Sequence, residues 1–189
     1  MNYKKPFYQV PNIIYGNDSI KRLNELIPSK KNKILIVIDS ILNFDKENLL
    51  DKSYNYSVYE YDATKNEPYT KEIDDIAFNY KDENIDLIVG IGGGSTMDVS
   101  KSLSVMIPVI GKKSSEDFQG WDLVNHDVIY KIGVPTLSGS GSEASRTAVL
   151  NNGFKKQGIN SHASMFNSII LDPNLSVNVS HDIEFYSAM

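Results

Sequence analysis

Asp86-Leu87-Ile88-Val89-Gly90-Ile91-Gly92-Gly93-Gly94-Ser95-Thr96-Met97-Asp98 joins an apolar, β-branched run to a glycine turn and then to a segment with helical spacing. Apolar residues at consecutive positions mark a strand covered on both faces, the habit of a parallel sheet. Past the glycines, Met97, Val99, Leu103 and Met106 recur on one helical face, and Ser95 is placed to cap it. Glycines there let the chain turn sharply and bring ligand oxygens close to main-chain N–H groups. The helix that follows adds unpaired N–H groups and the positive end of its dipole. A pyrophosphate suits such a turn; a tight strand-to-helix turn with no ligand is the plainer alternative, and three consecutive glycines favour the anion. The spacing departs from G-x-G-x-x-G because position 95 is serine, and no Gly-Lys-Ser/Thr follows as in a P-loop. Lys101 stays open between facing the phosphates and standing in solvent as an ordinary helix lysine.

Working outward, Ile34–Ile38 is a second continuous apolar run, ending at Asp39, and Ile129–Val134 is a third, stopped by Pro135. Tyr56–Tyr61 and Ser168–Leu171 are weaker strand candidates. Between them, Ser19–Ile27 and Thr70–Tyr80 show helical spacing, the latter with Thr70 as N-cap. Alternation of strands and helices predicts an α/β fold, a Rossmann-like parallel sheet with helical crossovers. The charged stretch Lys112–Gln119 is expected to be a mobile loop. An acidic residue suited to ribose hydroxyls normally comes about 20 residues after the glycine loop. Here the candidate, Asp39, precedes the loop.

Composition narrows the partners. With 19 basic against 24 acidic residues the net charge is -5, which speaks against nucleic acid or an anionic membrane surface. The absence of cysteine excludes disulfides, Cys-ligated metal centres and a cysteine nucleophile, and fits a reducing compartment. Met1–Val10 lacks the apolar core of a signal peptide, and the apolar runs fall well short of the roughly 20 residues of a membrane helix. A cytoplasmic protein is expected.

A second loop, Pro135-Thr136-Leu137-Ser138-Gly139-Ser140-Gly141-Ser142-Glu143, also follows a strand. It is either a flexible serine–glycine connection or a set of ligand donors. Its short length, between apolar runs, favours the donors. Two such loops after strands of one parallel sheet converge at the sheet's carboxyl edge, where α/β proteins bind ligands. His126, His162 and His181 stand apart without metal-ligand spacing and are expected at the surface or in packing. Trp121 is expected as a core or interface anchor, and Asp74-Asp75 as part of a charged helix face.

Taken in order, Ile14-Tyr15-Gly16, the Ile34–Asp39 strand end, Gly92-Gly93-Gly94-Ser95-Thr96-Met97-Asp98, Pro135–Glu143 and Asp172-Pro173 resemble the iron-containing (group III) alcohol dehydrogenases over essentially the whole chain. The resemblance implies an N-terminal domain of the dehydroquinate synthase-like type that binds NAD or NADP, followed by a helical domain that binds Fe2+ or Zn2+. It implies that Asp39 faces the adenosine ribose and influences the choice between the two cofactors. Gly93, Gly94 and Ser95 would hold the pyrophosphate, with Asp98 nearby. Thr136, Leu137, Ser138 and Ser140 would line the cofactor, and Thr147 and Lys156 would lie toward its ribose and nicotinamide end. Where many relatives carry Asn-Pro, this chain has Glu67-Pro68.

Phe118–Leu123, Ser145–Leu150 and Lys155–Ser161 are most similar to the 3-deoxy-octulosonate (Kdo) 8-oxidase branch, which implies a sugar-acid alcohol as substrate. The resemblance further implies a nucleotide-binding domain over 1–180 and the start of the helical metal-binding domain at 181–189. The first metal-ligand aspartate is expected just after Phe185-Tyr186-Ser187-Ala188-Met189, so the helical domain is expected to be missing and the chain alone inactive. A homodimer is expected at full length. Two other readings remain: a stand-alone nucleotide-binding module completed by a separate chain, and a relative of glycerol-phosphate dehydrogenase or dehydroquinate synthase.

Overall fold

The computed structural model describes residues 9–31, 33–45, 48–64 and 67–176. Among the described residues, nine strands appear in chain order: β1 Asn12–Tyr15, β2 Lys33–Asp39, β3 Asn55–Tyr61, β4 Leu87–Gly92, β5 Gly120–Trp121, β6 Tyr130–Pro135, β7 Thr147–Asn151, β8 Lys156–Asn160 and β9 Ser168–Leu171. Three α-helices accompany them: α1 Leu23–Leu26, α2 Thr70–Tyr80 and α3 Gly94–Met106. Six strands form one sheet in the order β1-β9-β6-β4-β2-β3, and every pairing in it is parallel. The expected parallel α/β sheet is therefore the fold.

The continuous apolar runs sit where parallel sheets need them. Leu35 and Val37 face α2 and α3, packing with Ile73, Ile76, Val99 and Leu103. Ile34, Ile36 and Ile38 point to the other face, against Leu23, Ile27 and Leu50. This period-two division buries both faces of β2, so every one of these five side chains is removed from solvent.

Helix α3 crosses between the large sheet and a second sheet of β5, β8 and β7, and every residue from Val99 to Met106 is buried. Ser100, Ser102 and Ser104 lie among the buried residues, and their small size lets neighbouring backbone come close. A Cβ on Gly90 of β4 would stand 2.4 Å from Ser100 Oγ, so glycine is what allows helix and strand to touch there. At the carboxyl end of β4 a Cβ on Gly92 would stand 2.5 Å from Thr96 Oγ1, which seats the first turn of α3 there.

Several local expectations are corrected. Ser19–Ile27 is not one helix: a 3-10 turn over Ser19–Arg22 runs into the single α-turn α1. The start of the 3-10 turn is held by Asp172, just past β9, whose carboxylate accepts from the N–H groups of Asp18 and Ile20, each at 3.1 Å. Gly93, rather than Ser95, is the N-cap of α3, since the Gly93 carbonyl already accepts from Met97 N at 3.0 Å. Tyr69, rather than Thr70, precedes α2; the Thr70 hydroxyl donates instead to Glu116 at 3.2 Å.

The expected loop at Lys112–Gln119 contains a 3-10 turn, Ser115–Phe118, closed by a Ser114/Asp117 capping box. Asp74 anchors it by accepting from Ser115 N at 2.8 Å, so this acid is part of the packing rather than of a solvated face. Burial pushes the Asp74 carboxyl above the usual carboxylate range. Trp121 is no core residue: it is 70% exposed, with the Arg146 guanidinium 5.0 Å from its ring centre.

Candidate functional site

Because the six strands run parallel, the residues at their ends collect at one edge: Asp39 closing β2, Gly93 after β4 and Thr136 after β6. The two small-residue loops meet there. Thr136 N donates to Gly92 O at 2.9 Å, and a Cβ on Gly94 would stand 2.9 Å from Ser140 Cβ. Gly93, Gly94, Ser95, Thr136, Leu137, Ser138 and Ser140 are thus brought together, as the sequence placed them. The N–H groups of Gly94, Ser95 and Thr96 open α3 and have no intrahelical acceptor. The first turn of α3 carries no acidic residue, so nothing there competes for an anion.

Two clefts open beside this turn. One, of about 340 Å³, is lined by Thr136, Leu137, Ser138 and Glu143 together with Tyr15 and Asp172. The other, of about 140 Å³, lies between Glu67, Pro68 and Lys156 on one side and Ser95 and Asp98 on the other. Asp39 lines neither of these two; it stands buried at the same sheet edge, with Ile41 N donating to its carboxylate at 3.3 Å. Burial raises its carboxyl above the usual range, and the charge of Asp62 adds to the effect.

Asp98 lines the second cleft, yet its oxygens are already engaged. Oδ1 accepts from Ser142 Oγ at 2.5 Å and lies 3.1 Å from Lys101 Nζ, while Oδ2 accepts from Val149 N at 3.1 Å. Lys101 meets neither reading left open for it. Its side chain is wholly buried, and it donates to Ser142 O at 2.9 Å, to Ser142 Oγ at 2.8 Å and to the Thr147 carbonyl. Burial lowers its pKa, with Asp98 opposing that shift. The Asp98–Lys101 pair therefore ties α3 to the serine loop and to β7. Replacing Asp98 with Asn leaves a buried ammonium without its counter-charge, and a destabilisation on the order of 3 kcal/mol is expected in urea unfolding.

Thr147 starts β7 and donates from Oγ1 to Asn160 Oδ1 at 2.6 Å, so its hydroxyl braces the small sheet. Lys156 starts β8 and forms an ion pair with Glu67 along one side of the narrow cleft. From sequence, Glu67 stands out only as the departure from Asn-Pro, and the strands of the small sheet are not read, although Thr147 and Lys156 on them are placed near the cofactor. The sequence signal for β7 is the short apolar run Ala148-Val149-Leu150 bounded by Thr147 and Asn151.

A family model described as "Iron-containing alcohol dehydrogenase" matches residues 11–173. The chain belongs to the iron-containing alcohol dehydrogenase family. It is 31% identical over 177 residues to a sulfoacetaldehyde reductase from Bilophila wadsworthia, covering 89% of this chain and 45% of that protein. It is 29% identical over 168 residues to long-chain-alcohol dehydrogenase 1 from Geobacillus thermodenitrificans, covering 83% and 42%. The chain thus spans under half the length of these two curated relatives. Among solved structures, a sulfoacetaldehyde reductase from Bifidobacterium kashiwanohense in complex with NAD+ superposes with a TM-score of 0.82 at 23% identity, over 96% of this chain and 50% of that one. An iron-containing alcohol dehydrogenase from Thermococcus thioreducens gives 0.84 at 24%, over 96% and 50%.

The edge of this dehydrogenase-family sheet fits a dinucleotide. Besides the open amides, Thr96 Oγ1 is buried in the first turn of α3 with no hydrogen-bond partner among the described residues. The described residues do not supply a metal centre: no group of three or more His, Asp or Glu side chains converges among them. Phe185–Met189, on which the metal-ligand expectation turned, lies outside the described residues, as do His181 and the expected 181–189 segment. His126 packs on Phe118, ring centres 5.3 Å apart, with Nε2 2.8 Å from Val105 O. The His162 ring lies 2.9 Å from Arg146. No helix among the described residues is long and apolar enough to cross a membrane.

Proposed function

We propose that this chain supplies the dinucleotide-binding part of a metal-dependent alcohol dehydrogenase, and that NAD(H) lies across the carboxyl edge of the large sheet. The observation that carries this reading is the uncapped, acid-free first turn of α3, set against the Thr136–Ser140 loop. In this arrangement the amides of Gly94, Ser95 and Thr96 grip the diphosphate, while Thr136, Leu137, Ser138 and Ser140 form the facing wall. Asp39 stands where it would meet the ribose hydroxyls and, when ionised, oppose a 2′-phosphate. Thr147 and Lys156 bound the far end through the small sheet. When bound, NAD(H) supplies the hydride acceptor or donor for an alcohol–aldehyde pair. The polar knot of Asp98, Ser142 and Lys101 keeps the two walls in register.

The finer substrate reading is a sugar-acid alcohol of the Kdo type. It is supported by the likeness of Phe118–Leu123, Ser145–Leu150 and Lys155–Ser161 to that branch. We likewise propose a homodimer for the assembled enzyme. The binding claim is tested by fluorescence titration of the purified chain with NADH and NADPH. Saturable enhancement with NADH, tighter than with NADPH, is expected. No signal from either at millimolar cofactor would sink the proposal.

A further inference from the structure

The strap Glu67-Pro68-Tyr69 is docked onto the end of the small sheet. Asn151 N donates to Pro68 O at 2.8 Å, and Tyr69 forms a parallel bridge with Asn151. From this strap Glu67 reaches Lys156 at the start of β8 and closes an ion pair. The two side chains are 50% and 58% exposed, and a pair so open to water contributes little to folding. Its position is the notable feature: Glu67 and Lys156 line the cleft of about 140 Å³ whose opposite wall includes Ser95 of α3. The hydrogen bond from Lys156 holds the Glu67 carboxyl below the usual carboxylate range, so this carboxylate carries its charge at neutral pH. On the far wall Asp98 is already balanced by Lys101. The net charge that an anion meets on entering is therefore set by Glu67 and Lys156.

We propose that Glu67 is a specificity-determining residue of this cleft: its carboxylate neutralises the Lys156 ammonium and thereby sets how strongly the cleft attracts a diphosphate. The inference rests on the cofactor site described above and adds a chain-specific control of its charge. A ligand anion held by α3 competes with Glu67 for Lys156. Removing Glu67 leaves a free cation facing the anion; removing Lys156 leaves a free carboxylate. Removing both restores neutrality.

The test measures NADH affinity, with ADP-ribose as a second probe, for the full chain and for Glu67→Gln, Lys156→Met and the double variant at low and physiological salt. One unit charge acting across a solvated cleft changes affinity by about fivefold. Glu67→Gln should bind about fivefold tighter, Lys156→Met about fivefold weaker, and the double variant within about twofold of the parent, the differences shrinking as salt is added. If the pair only pins the strap, all three variants bind more weakly, and that pattern overturns the proposal. So does unchanged affinity in Glu67→Gln. A parent chain that binds neither probe removes the cofactor site itself, an outcome distinct from a parent that binds while Glu67→Gln gains nothing.

Discussion

Replacing Lys131 with methionine is expected to stabilise the chain by about 3 kcal/mol at pH 6 and to flatten its stability between pH 7 and 10. Lys131 lies within β6 and is 1% exposed. Its described partners are two carbonyls, Ala163 O at 2.8 Å and Ile129 O at 3.4 Å. Burial pushes its pKa down to about 7, and the neighbouring charge of Lys101 pushes the same way. In the unfolded chain the amine keeps its ordinary value of 10.5.

Between those two values the unfolded state binds more protons, so stability rises with pH. The penalty for this residue is complete below about pH 7 and disappears as pH approaches 10.5. Converting the full difference gives on the order of 4–5 kcal/mol, from which about 1 kcal/mol is subtracted for the hydrogen bonds that methionine cannot make. Tyr61 titrates in the opposite sense, its pKa raised by burial from 10.0, so its effect sets in at about pH 10, above the range measured. Urea unfolding of both proteins from pH 6 to 9.5 decides the matter. A variant less stable at every pH, with the parent's slope intact, would show that the amine stays charged and well solvated in the fold.

Ser95→Asp is expected to cut NADH affinity by about 100-fold while leaving the melting temperature within a few degrees. Ser95 is the second residue of α3, where a carboxylate is favoured by the helix dipole. Asp98, one turn on, is already paired with Lys101, so the new charge meets little repulsion within the helix. Folding and binding are thereby separated: the added carboxylate sits where the diphosphate is proposed to sit and satisfies the same amides. Fluorescence titration and thermal melts on one preparation give both quantities. Affinity unchanged in a well-folded variant would place the cofactor elsewhere.

Much of the fold is legible in the sequence because parallel strands buried on two faces need unbroken apolar runs, and Ile34–Ile38 and Leu87–Ile91 are such runs. The loops at the carboxyl edge follow from those strands. Less legible is whatever depends on residues far apart. The knot joining Lys101 and Asp98 to Ser142, Thr147 and Val149 spans 41 to 51 positions. Its tertiary contacts turn a helix lysine that periodicity leaves ambiguous into a buried tie. The Glu67–Lys156 pair is another case, visible in the sequence only as an unusual residue before Pro68. The small sheet escaped because β5 is two residues long and β8 carries Gln157 and Gly158, which lack a strand signature. The anchoring of the 3-10 turn's start by Asp172, some 150 positions away, is likewise invisible to local spacing.

The central claim, that main-chain amides opening α3 hold a dinucleotide's diphosphate, is tested most directly by amide NMR of the isotopically labelled chain during an NADH titration. The expected result is saturable movement of the Gly94, Ser95 and Thr96 signals, joined by those of Thr136 to Ser140. Binding that leaves these amides unmoved and shifts a separate surface would contradict it.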